Sequence, residues 1–143
     1  MFIQNVSYND ITKGNHKDPG ENAMLIQIVD PLYEFPLPAH QFKEMHQFEF
    51  ADVDVPTDTA WEFRATRNQC ESLVILLEKA YDKDMNVIVH CHAGVCRSGA
   101  VTEVGTIMGF EDTGAFRLPN VHVKRTMMEI MGHDQLYYEG LWQ

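Results

Sequence analysis

A short β-branched run that leads through a tight loop into a helix is the feature that most constrains what this chain folds into. The run is Asn86-Val87-Ile88-Val89-His90, and its branched apolar residues predict a short, buried strand. After the loop, apolar residues at helical spacing predict a helix from Ser98 to Phe110. A strand followed directly by a helix is the repeating unit of α/β proteins.

The rest of the chain continues this alternation. Apolar runs predict three further strands, at 1–8, 24–29 and 47–51. Helical periodicity predicts helices at 59–83, 119–131 and 133–143, and turn-forming residues predict a polar loop at 9–22. The helix at 59–83 would begin where Thr59 and Glu62 have the spacing of a capping box. Together the elements predict an α/β fold with a largely parallel sheet, in which ligands bind beyond the carboxyl ends of the strands, where the loop after His90 lies.

Length and charge limit the classes of function. The chain has 143 residues, which predicts a single domain over 1–143 that buries a core without disulfide or metal support. It carries 11 basic and 21 acidic side chains, and the net charge of −10 argues against binding to nucleic acid or to an anionic membrane. No apolar run is long enough to span a bilayer, and no secretory signal is visible. We therefore expect a soluble, cytoplasmic protein, whose oligomeric state the sequence leaves open.

The segment between the predicted strand and helix, His90-Cys91-His92-Ala93-Gly94-Val95-Cys96-Arg97-Ser98-Gly99, has the chemistry of an anion site. Such a loop directs backbone N–H groups inward, and together with the helix dipole these bind a tetrahedral anion. Arg97 adds a planar guanidinium that binds two phosphate oxygens at once. Cys91 would point its sulfur into the same positive field, which favours the nucleophilic thiolate. A thiolate that faces a bound phosphate indicates phosphoryl transfer through a cysteinyl-phosphate.

The run His90-Cys91-x-Ala93-Gly94-x-x-Arg97-Ser98 resembles the signature loop of the cysteine-dependent protein tyrosine phosphatases, particularly their compact dual-specificity branch. The resemblance extends from about Met24 to Met131, and the signature loop is its sharply diagnostic part. It implies a three-layer α/β fold with a mostly parallel central sheet flanked by helices. It also implies two-step hydrolysis of a phosphorylated protein or peptide, with no metal and no cofactor. A shallow pocket of the dual-specificity kind would leave phosphotyrosine, phosphoserine and phosphothreonine open as substrates.

The resemblance also assigns roles within the loop. Cys91 would be the nucleophile, Arg97 would bind phosphate in the ground and transition states, and the Ser98 hydroxyl would help the thiolate to depart in the second step. His90 would support the loop and the ionised state of the cysteine. Asn120 resembles a structural asparagine found after the loop helix in many dual-specificity members. The phosphate would also contact the loop interior, which consists of His92, Ala93, Gly94, Val95 and Cys96.

The family uses an aspartate from an upstream loop as the general acid that protonates the leaving oxygen. Asp52, Asp54 and Asp58 are the candidates here. The apolar alternation that leads up to Asp52 resembles the dual-specificity arrangement, so Asp52 is the first choice and Asp54 the second. Asp52 lies 39 residues before Cys91, a somewhat longer separation than the family pattern leads us to expect. Asp58 would serve equally well near a helix start, where a carboxylate stabilises exposed N–H groups.

Cys96 and His92 each admit two interpretations, and Cys70 has one. Cys96 either packs at the end of the loop or, as in low-molecular-weight tyrosine phosphatases with a cysteine just before the loop arginine, forms a reversible disulfide with Cys91 on oxidation. His92 either contacts substrate at the mouth of the pocket or is a solvated loop residue. Cys70 lies on the apolar face of the predicted helix and is interpreted as a core residue.

Three rival functions remain open. A rhodanese-type sulfurtransferase has a similar active-site loop with a nucleophilic cysteine. Its loop usually has fewer residues than the five that separate Cys91 and Arg97 here. A phosphoinositide or RNA 5′-triphosphate phosphatase would place basic residues in and around the loop, whose interior has no lysine. A non-catalytic phosphoprotein-binding module would be expected to have lost a catalytic residue, whereas Cys91, Arg97, Ser98 and an upstream aspartate are all present.

Overall fold

The computed structural model describes residues 1–132 and is built around one parallel sheet. Its strands are β1 (Phe2–Val6), β2 (Ala23–Val29), β3 (Glu44–Glu49), β4 (Asn86–His90) and β5 (Glu111–Asp112). They lie in the order β3-β2-β4-β1-β5, and every neighbouring pair is parallel. The central strand β4 has the bounds that its β-branched run predicted. Because β2 and β4 are buried on both faces, their sequences are nearly continuous apolar runs.

Helices cover the two faces of the sheet unequally. They are α1 (Tyr8–Lys13), α2 (Arg67–Asp82), α3 (Arg97–Met108) and α4 (Val121–Ile130), with a 3₁₀ turn at Trp61–Phe63. α2, α3 and α4 pack against one face, where they share a core with Ile3, Ile26 and Val89. The other face is covered by α1 and by the chain that leads into β3, through Ile11 and Phe42. The predicted α/β fold, a parallel sheet flanked by helices, is confirmed.

The helix predicted at 59–83 begins later than its sequence spacing suggested. The chain is extended at Arg64 (φ −61°, ψ 161°), so the turn around Thr59 does not continue into α2. Thr66 is the N-cap instead: its Oγ1 accepts a hydrogen bond from the Gln69 N–H at 3.1 Å, and Gln69 Oε1 accepts one from the Thr66 N–H at 2.8 Å. Glutamine closes a capping box as well as glutamate does. The sequence therefore held two candidate boxes, and the prediction chose the wrong one.

Two short elements were not predicted, for reasons of length. α1 lies within the predicted polar loop, where Ser7 Oγ accepts from the Asp10 N–H at 3.0 Å and Gly14 ends the helix at a φ of 73°. With Ile11 as its single buried residue, α1 has too little periodicity to be distinguished from a loop. β5 is two residues long. The helix predicted at 133–143 lies outside the described residues. Within 1–132 no helix is both long and apolar enough to cross a membrane.

Candidate active site

The loop that joins β4 to α3 lies at the carboxyl-terminal edge of the sheet. It consists of residues 91–96, between the end of β4 at His90 and the start of α3 at Arg97. The strands on either side of β4 contribute their own following residues to this edge, Ser7 after β1 and Asp30 after β2. Parallel strands thus bring segments that are distant in sequence to one place.

Hydrogen bonds from neighbouring segments hold the backbone of this loop. The Tyr8 N–H donates to the His92 carbonyl at 3.0 Å. The buried side-chain amide of Asn5, on β1, donates to the Gly94 carbonyl at 2.7 Å. The segment before α4 donates a backbone N–H to the Val95 carbonyl at 3.2 Å. These donors fix the carbonyl groups of the loop from outside.

Gly94 is the position in the loop where only glycine fits. Its φ is +76°, in the left-handed region, and a Cβ atom there would lie 2.3 Å from the carbonyl carbon of Val6 and 2.4 Å from the nitrogen of Ser7. Both are backbone atoms of β1 and the segment after it, and they cannot move aside without displacing the strand. The glycine therefore lets the loop pack directly on the end of β1.

The Cys91 sulfur lies inside the loop and accepts polar contacts there. The side chain is 2% exposed, its Sγ lies 3.1 Å from the Ser98 Oγ, and the Gly94 N–H donates to Sγ at 3.2 Å. Ser98 is itself fully buried at the first turn of α3. An N–H donor and a hydroxyl around one sulfur, at the positive end of a helix, suit a negatively charged sulfur.

Arg97 is buried with one nitrogen held and another without a partner. The residue is 4% exposed, and its Nη1 donates to Asp30 Oδ1 at 3.0 Å and to the Phe50 carbonyl at 2.8 Å. Its Nε has no hydrogen-bond partner in the described part of the chain. Leaving a buried charged donor unpaired is costly, so this N–H is available to a ligand with an oxygen acceptor.

His90 supports the loop as a neutral side chain. It is fully buried, and burial lowers its pKa to about 4, so the imidazole is uncharged near neutral pH. Its Nδ1–H donates to the Cys91 carbonyl at 3.3 Å, and its ring meets the ring of Tyr8 edge-on with centroids 6.1 Å apart. The contribution of His90 is therefore made through packing and a hydrogen bond rather than through positive charge.

Two of the candidate general acids, Asp52 and Asp54, are hydrogen-bonded to residues at the start of α4. Asn120 Nδ2 donates to Asp52 Oδ1 at 2.7 Å, and the Val121 N–H donates to Asp54 Oδ1 at 2.6 Å. Asn120 also caps α4 with its own side-chain oxygen and donates its backbone N–H to the Cys96 carbonyl at 2.9 Å. A single asparagine thus joins the segment that carries Asp52 and Val53, the start of α4 and the loop 91–96.

Asp58 is not brought to this cluster. Its carboxylate accepts from the Ala60 N–H at 2.9 Å within an exposed turn that leads to the 3₁₀ turn. This is the structural role, near a helical start, that its position in the sequence equally allowed.

The other two cysteines differ in environment. Burial raises the pKa of the half-buried Cys96 thiol, and the nearby Asp52 carboxylate and Cys91 raise it further. Cys70 lies on α2 and is fully buried in the hydrophobic core of the protein, where burial raises its pKa to about 12. Its interpretation as a core residue is therefore confirmed. All three cysteines are free thiols. Among residues 1–132, no group of three or more His, Cys, Asp or Glu side chains is arranged to hold a metal ion.

His92 is exposed at the mouth of the loop. Its ring centroid lies 6.3 Å from that of Tyr8, and both line a shallow surface depression with Asp30 and Tyr33. The structure therefore places His92 on the surface beside the loop 91–96, where either of its sequence interpretations is accommodated.

Two site residues were missed by reasoning from the sequence. Asp30, which holds Arg97, directly follows the strand predicted at 24–29, and Asn5 lies within the strand predicted at 1–8. A signal for Asp30 existed, because a carboxylate directly after a buried strand lies at the same sheet edge as the loop after β4. No pattern pointed to Asn5, since a single polar residue in a strand does not reveal its partner.

Comparisons with known proteins identify the fold. No protein-family model and no curated protein matches the sequence. Among solved structures, the human tyrosine phosphatase-like serine/threonine/tyrosine-interacting protein superposes with a TM-score of 0.60 at 16% identity, over 91% of each chain. OH1 from the Orf virus, a tyrosine phosphatase with triple substrate specificity, gives a TM-score of 0.53 at 17% identity, over 90% of this chain and 82% of its own. The chain therefore has the fold of the cysteine-dependent tyrosine phosphatases, as the resemblance of its loop implied.

Proposed function

We propose that this protein is a phosphoprotein phosphatase that hydrolyses phosphotyrosine, with phosphoserine and phosphothreonine as further substrates, through a cysteinyl-phosphate intermediate. The observation that carries the proposal is the Cys91 sulfur within the loop, which accepts the Gly94 N–H, followed at the start of α3 by the buried Arg97, whose Nε has no partner among the described residues. The two groups correspond in chemistry to a nucleophile and an anion-binding donor at a helix start.

In the first step, the Cys91 thiolate attacks phosphorus and the bond to the leaving oxygen breaks. The Arg97 guanidinium and the backbone N–H groups of the loop hold the phosphoryl oxygens as their charge increases. In the second step, water attacks the phosphocysteine, inorganic phosphate leaves, and the thiolate is restored. The Ser98 hydroxyl, 3.1 Å from Sγ, is in reach to stabilise that departing thiolate.

We propose Asp52 as the general acid, with Asn120 as the group that positions it through the 2.7 Å contact to Oδ1. Asp54 is the second candidate, but its carboxylate already accepts the first N–H of α4. The proton would pass from Asp52 to the leaving oxygen in the first step, and Asp52 would recover it from the attacking water in the second.

Replacement of the nucleophile tests the proposal. Wild type should hydrolyse p-nitrophenyl phosphate and a phosphotyrosine peptide, and Cys91→Ser should lose at least about 10³-fold in kcat, because an alcohol is a far weaker nucleophile than a thiolate. Cys70→Ala, in the core, is the matched cysteine control and should keep its activity. Activity of Cys91→Ser comparable with wild type would overturn the mechanism, and turnover of thiosulfate in place of phosphate esters would indicate a sulfurtransferase.

We also propose that Cys96 protects Cys91 against over-oxidation. Peroxide would convert the Cys91 thiolate to a sulfenic acid, and the Cys96 sulfur would then displace water to form a disulfide that an added thiol reduces. Its support is that the two cysteines share the loop 91–96 and are both free thiols. After peroxide treatment and thiol rescue, wild type should recover its activity and Cys96→Ser should recover much less. Equal recovery would exclude a protective role.

A further inference from the structure

Three backbone N–H groups of the loop 91–96 donate to no acceptor in the described part of the chain. They belong to Ala93, Val95 and Cys96, whereas the Gly94 N–H donates to the Cys91 sulfur. N–H groups gathered in one short loop before a helix form the kind of concavity that binds anions. What directs these three groups therefore decides how well the loop binds an anion.

Each of the three N–H groups directly follows a carbonyl group that accepts a hydrogen bond from outside the loop. The donors are the Tyr8 N–H to the His92 carbonyl, Asn5 Nδ2 to the Gly94 carbonyl and the Leu118 N–H to the Val95 carbonyl. The peptide bonds of the loop are trans and planar, so the carbonyl of one residue and the N–H of the next point in opposite directions. The external donors therefore also fix the direction of the three N–H groups, which point away from them.

Asn5 is the one side chain among these three donors. It is 4% exposed and lies on β1, one residue before the end of the strand. Its Nδ2 donates to the Gly94 carbonyl at 2.7 Å and to the Phe116 carbonyl at 2.9 Å. Leu118, the donor to the next carbonyl of the loop, lies two residues after Phe116. Asn5 therefore holds one loop carbonyl directly and also binds the segment that holds the following one.

The oxygen of the same side chain makes Asn5 costly on a buried strand. Its Oδ1 is buried and has no hydrogen-bond partner within residues 1–132. Burying an amide oxygen without a partner lowers stability. The favourable contribution of this residue therefore lies in the two carbonyl groups that its Nδ2 holds.

We propose that Asn5 is a positioning residue for the anion site. By holding the Gly94 carbonyl, it directs the Val95 N–H towards the phosphate that Arg97 and the loop bind. Asn5 acts through the peptide group between Gly94 and Val95 and takes no part in the transfer of a proton or of the phosphoryl group. The inference deepens the proposed function, because the phosphate is the one that the proposed catalysis uses.

Binding of tungstate, a tetrahedral oxyanion, to the Cys91→Ser protein tests the inference without turnover. In that background Asn5→Ala should raise the Kd of tungstate about tenfold, as expected for loss of one hydrogen bond to a charged group. Gln27→Ala is the matched control, because Gln27 is also a fully buried strand amide and donates to the Pro36 carbonyl at 2.9 Å, outside the loop. It should leave the Kd unchanged. Isothermal titration calorimetry measures all three proteins.

Amide NMR resonances distinguish positioning from a general loss of structure. In the Cys91→Ser protein, saturating tungstate should shift the N–H resonances of Ala93, Val95 and Cys96. With Asn5→Ala added, the Val95 shift should be largely lost. The Ala93 shift should persist, because the carbonyl before it is held by a backbone N–H.

Asn5→Asp keeps the size of the side chain and lacks its N–H donors, so it provides the same test if Asn5→Ala does not fold. An unchanged Kd in the Asn5 variant, an equal rise in Gln27→Ala or equal loss of the Ala93 and Val95 shifts would overturn the inference. If wild type does not hydrolyse phosphate esters but the differences in tungstate binding are found, the positioning role is supported and the proposed catalysis is removed.

Discussion

At the scale of single residues, the candidate site depends on which hydrogen-bond donors of the buried Arg97 guanidinium already have a protein partner. Arg97 uses Nη1 for Asp30 and for the Phe50 carbonyl, which holds the guanidinium plane in place before any ligand arrives. Its Nε stays without a partner. Because the Arg97 guanidinium is already held in one orientation, phosphate binding would not include the loss of conformational entropy that comes with ordering a long side chain.

The choice between Asp52 and Asp54 is also made at this scale. Asp52→Asn should lower kcat for an alkyl phosphate ester by about 10²–10⁴-fold, because a poor leaving group needs a proton, and should affect p-nitrophenyl phosphate far less. Asp54→Asn weakens a contact to the first N–H of α4 and should mainly lower stability. Steady-state kinetics on both esters distinguishes the two, and intact turnover of the alkyl ester by Asp52→Asn would remove it as the general acid.

Gly94 and Gly114 provide a matched pair for the packing of the loop. Both have a positive φ, +76° and +80°, but a Cβ at Gly94 would collide with Val6 whereas nothing lies within 4 Å at Gly114. Gly114→Ala should cost about 1–2 kcal/mol of unfolding free energy from backbone strain alone. Gly94→Ala should cost at least about 2 kcal/mol more because the strand end must move. Urea denaturation measures both, and equal losses would mean that the loop does not pack on β1 as described.

At the scale of secondary-structure elements, the sequence predicts the bounds of an element correctly where its residue types and its burial favour the same structure. β4 was predicted with its correct bounds because both its residue types and its burial favour a strand. α2 was predicted with the wrong start because two threonines, Thr59 and Thr66, each precede a residue able to close a capping box. The sequence does not show that the chain at Arg64 is extended, and this decides between them.

The two threonines are therefore expected to differ in their effect on stability. Thr66→Ala removes the side-chain acceptor for the Gln69 N–H and should lower the unfolding free energy by about 1 kcal/mol. Thr59→Ala, in an exposed turn, should change it by less than about 0.5 kcal/mol. Thermal or urea unfolding of the two variants tests the assignment, which is wrong if Thr59→Ala proves the more costly change.

At the scale of the whole molecule, stability is coupled to the protonation of His90 beneath the site. Burial lowers its pKa in the folded protein to about 4, below the value of about 6.5 expected in the unfolded chain. Between these two values the unfolded chain binds a proton that the folded protein does not, so stability is lost as the pH falls through this window. Above a pH of about 6.5 His90 is neutral in both the folded and the unfolded protein, so its protonation no longer lowers the free energy of unfolding.

This linkage should be visible in pH-dependent unfolding. On lowering the pH from about 7 to about 5, His90 should account for a loss of about 2 kcal/mol in unfolding free energy. His90→Gln has no proton to gain, so its unfolding free energy should fall by that much less over the same interval. Urea unfolding of both proteins at the two pH values gives the comparison, and an identical pH dependence would show that His90 is not held neutral by burial.

The sequence by itself determined four of the five described strands, the parallel α/β class and the residue types of the loop, because these depend on residues that are adjacent along the chain. Cys91, Gly94, Arg97 and Ser98 follow one another within a single strand–loop–helix unit. The tertiary structure decided which groups surround them. Asp30 reaches Arg97 across 67 positions, Asn5 reaches Gly94 across 89, and Asn120 reaches Asp52 across 68. Contacts of this kind form only when the parallel strands bring their carboxyl ends to one edge, and no local pattern records which polar residues then meet.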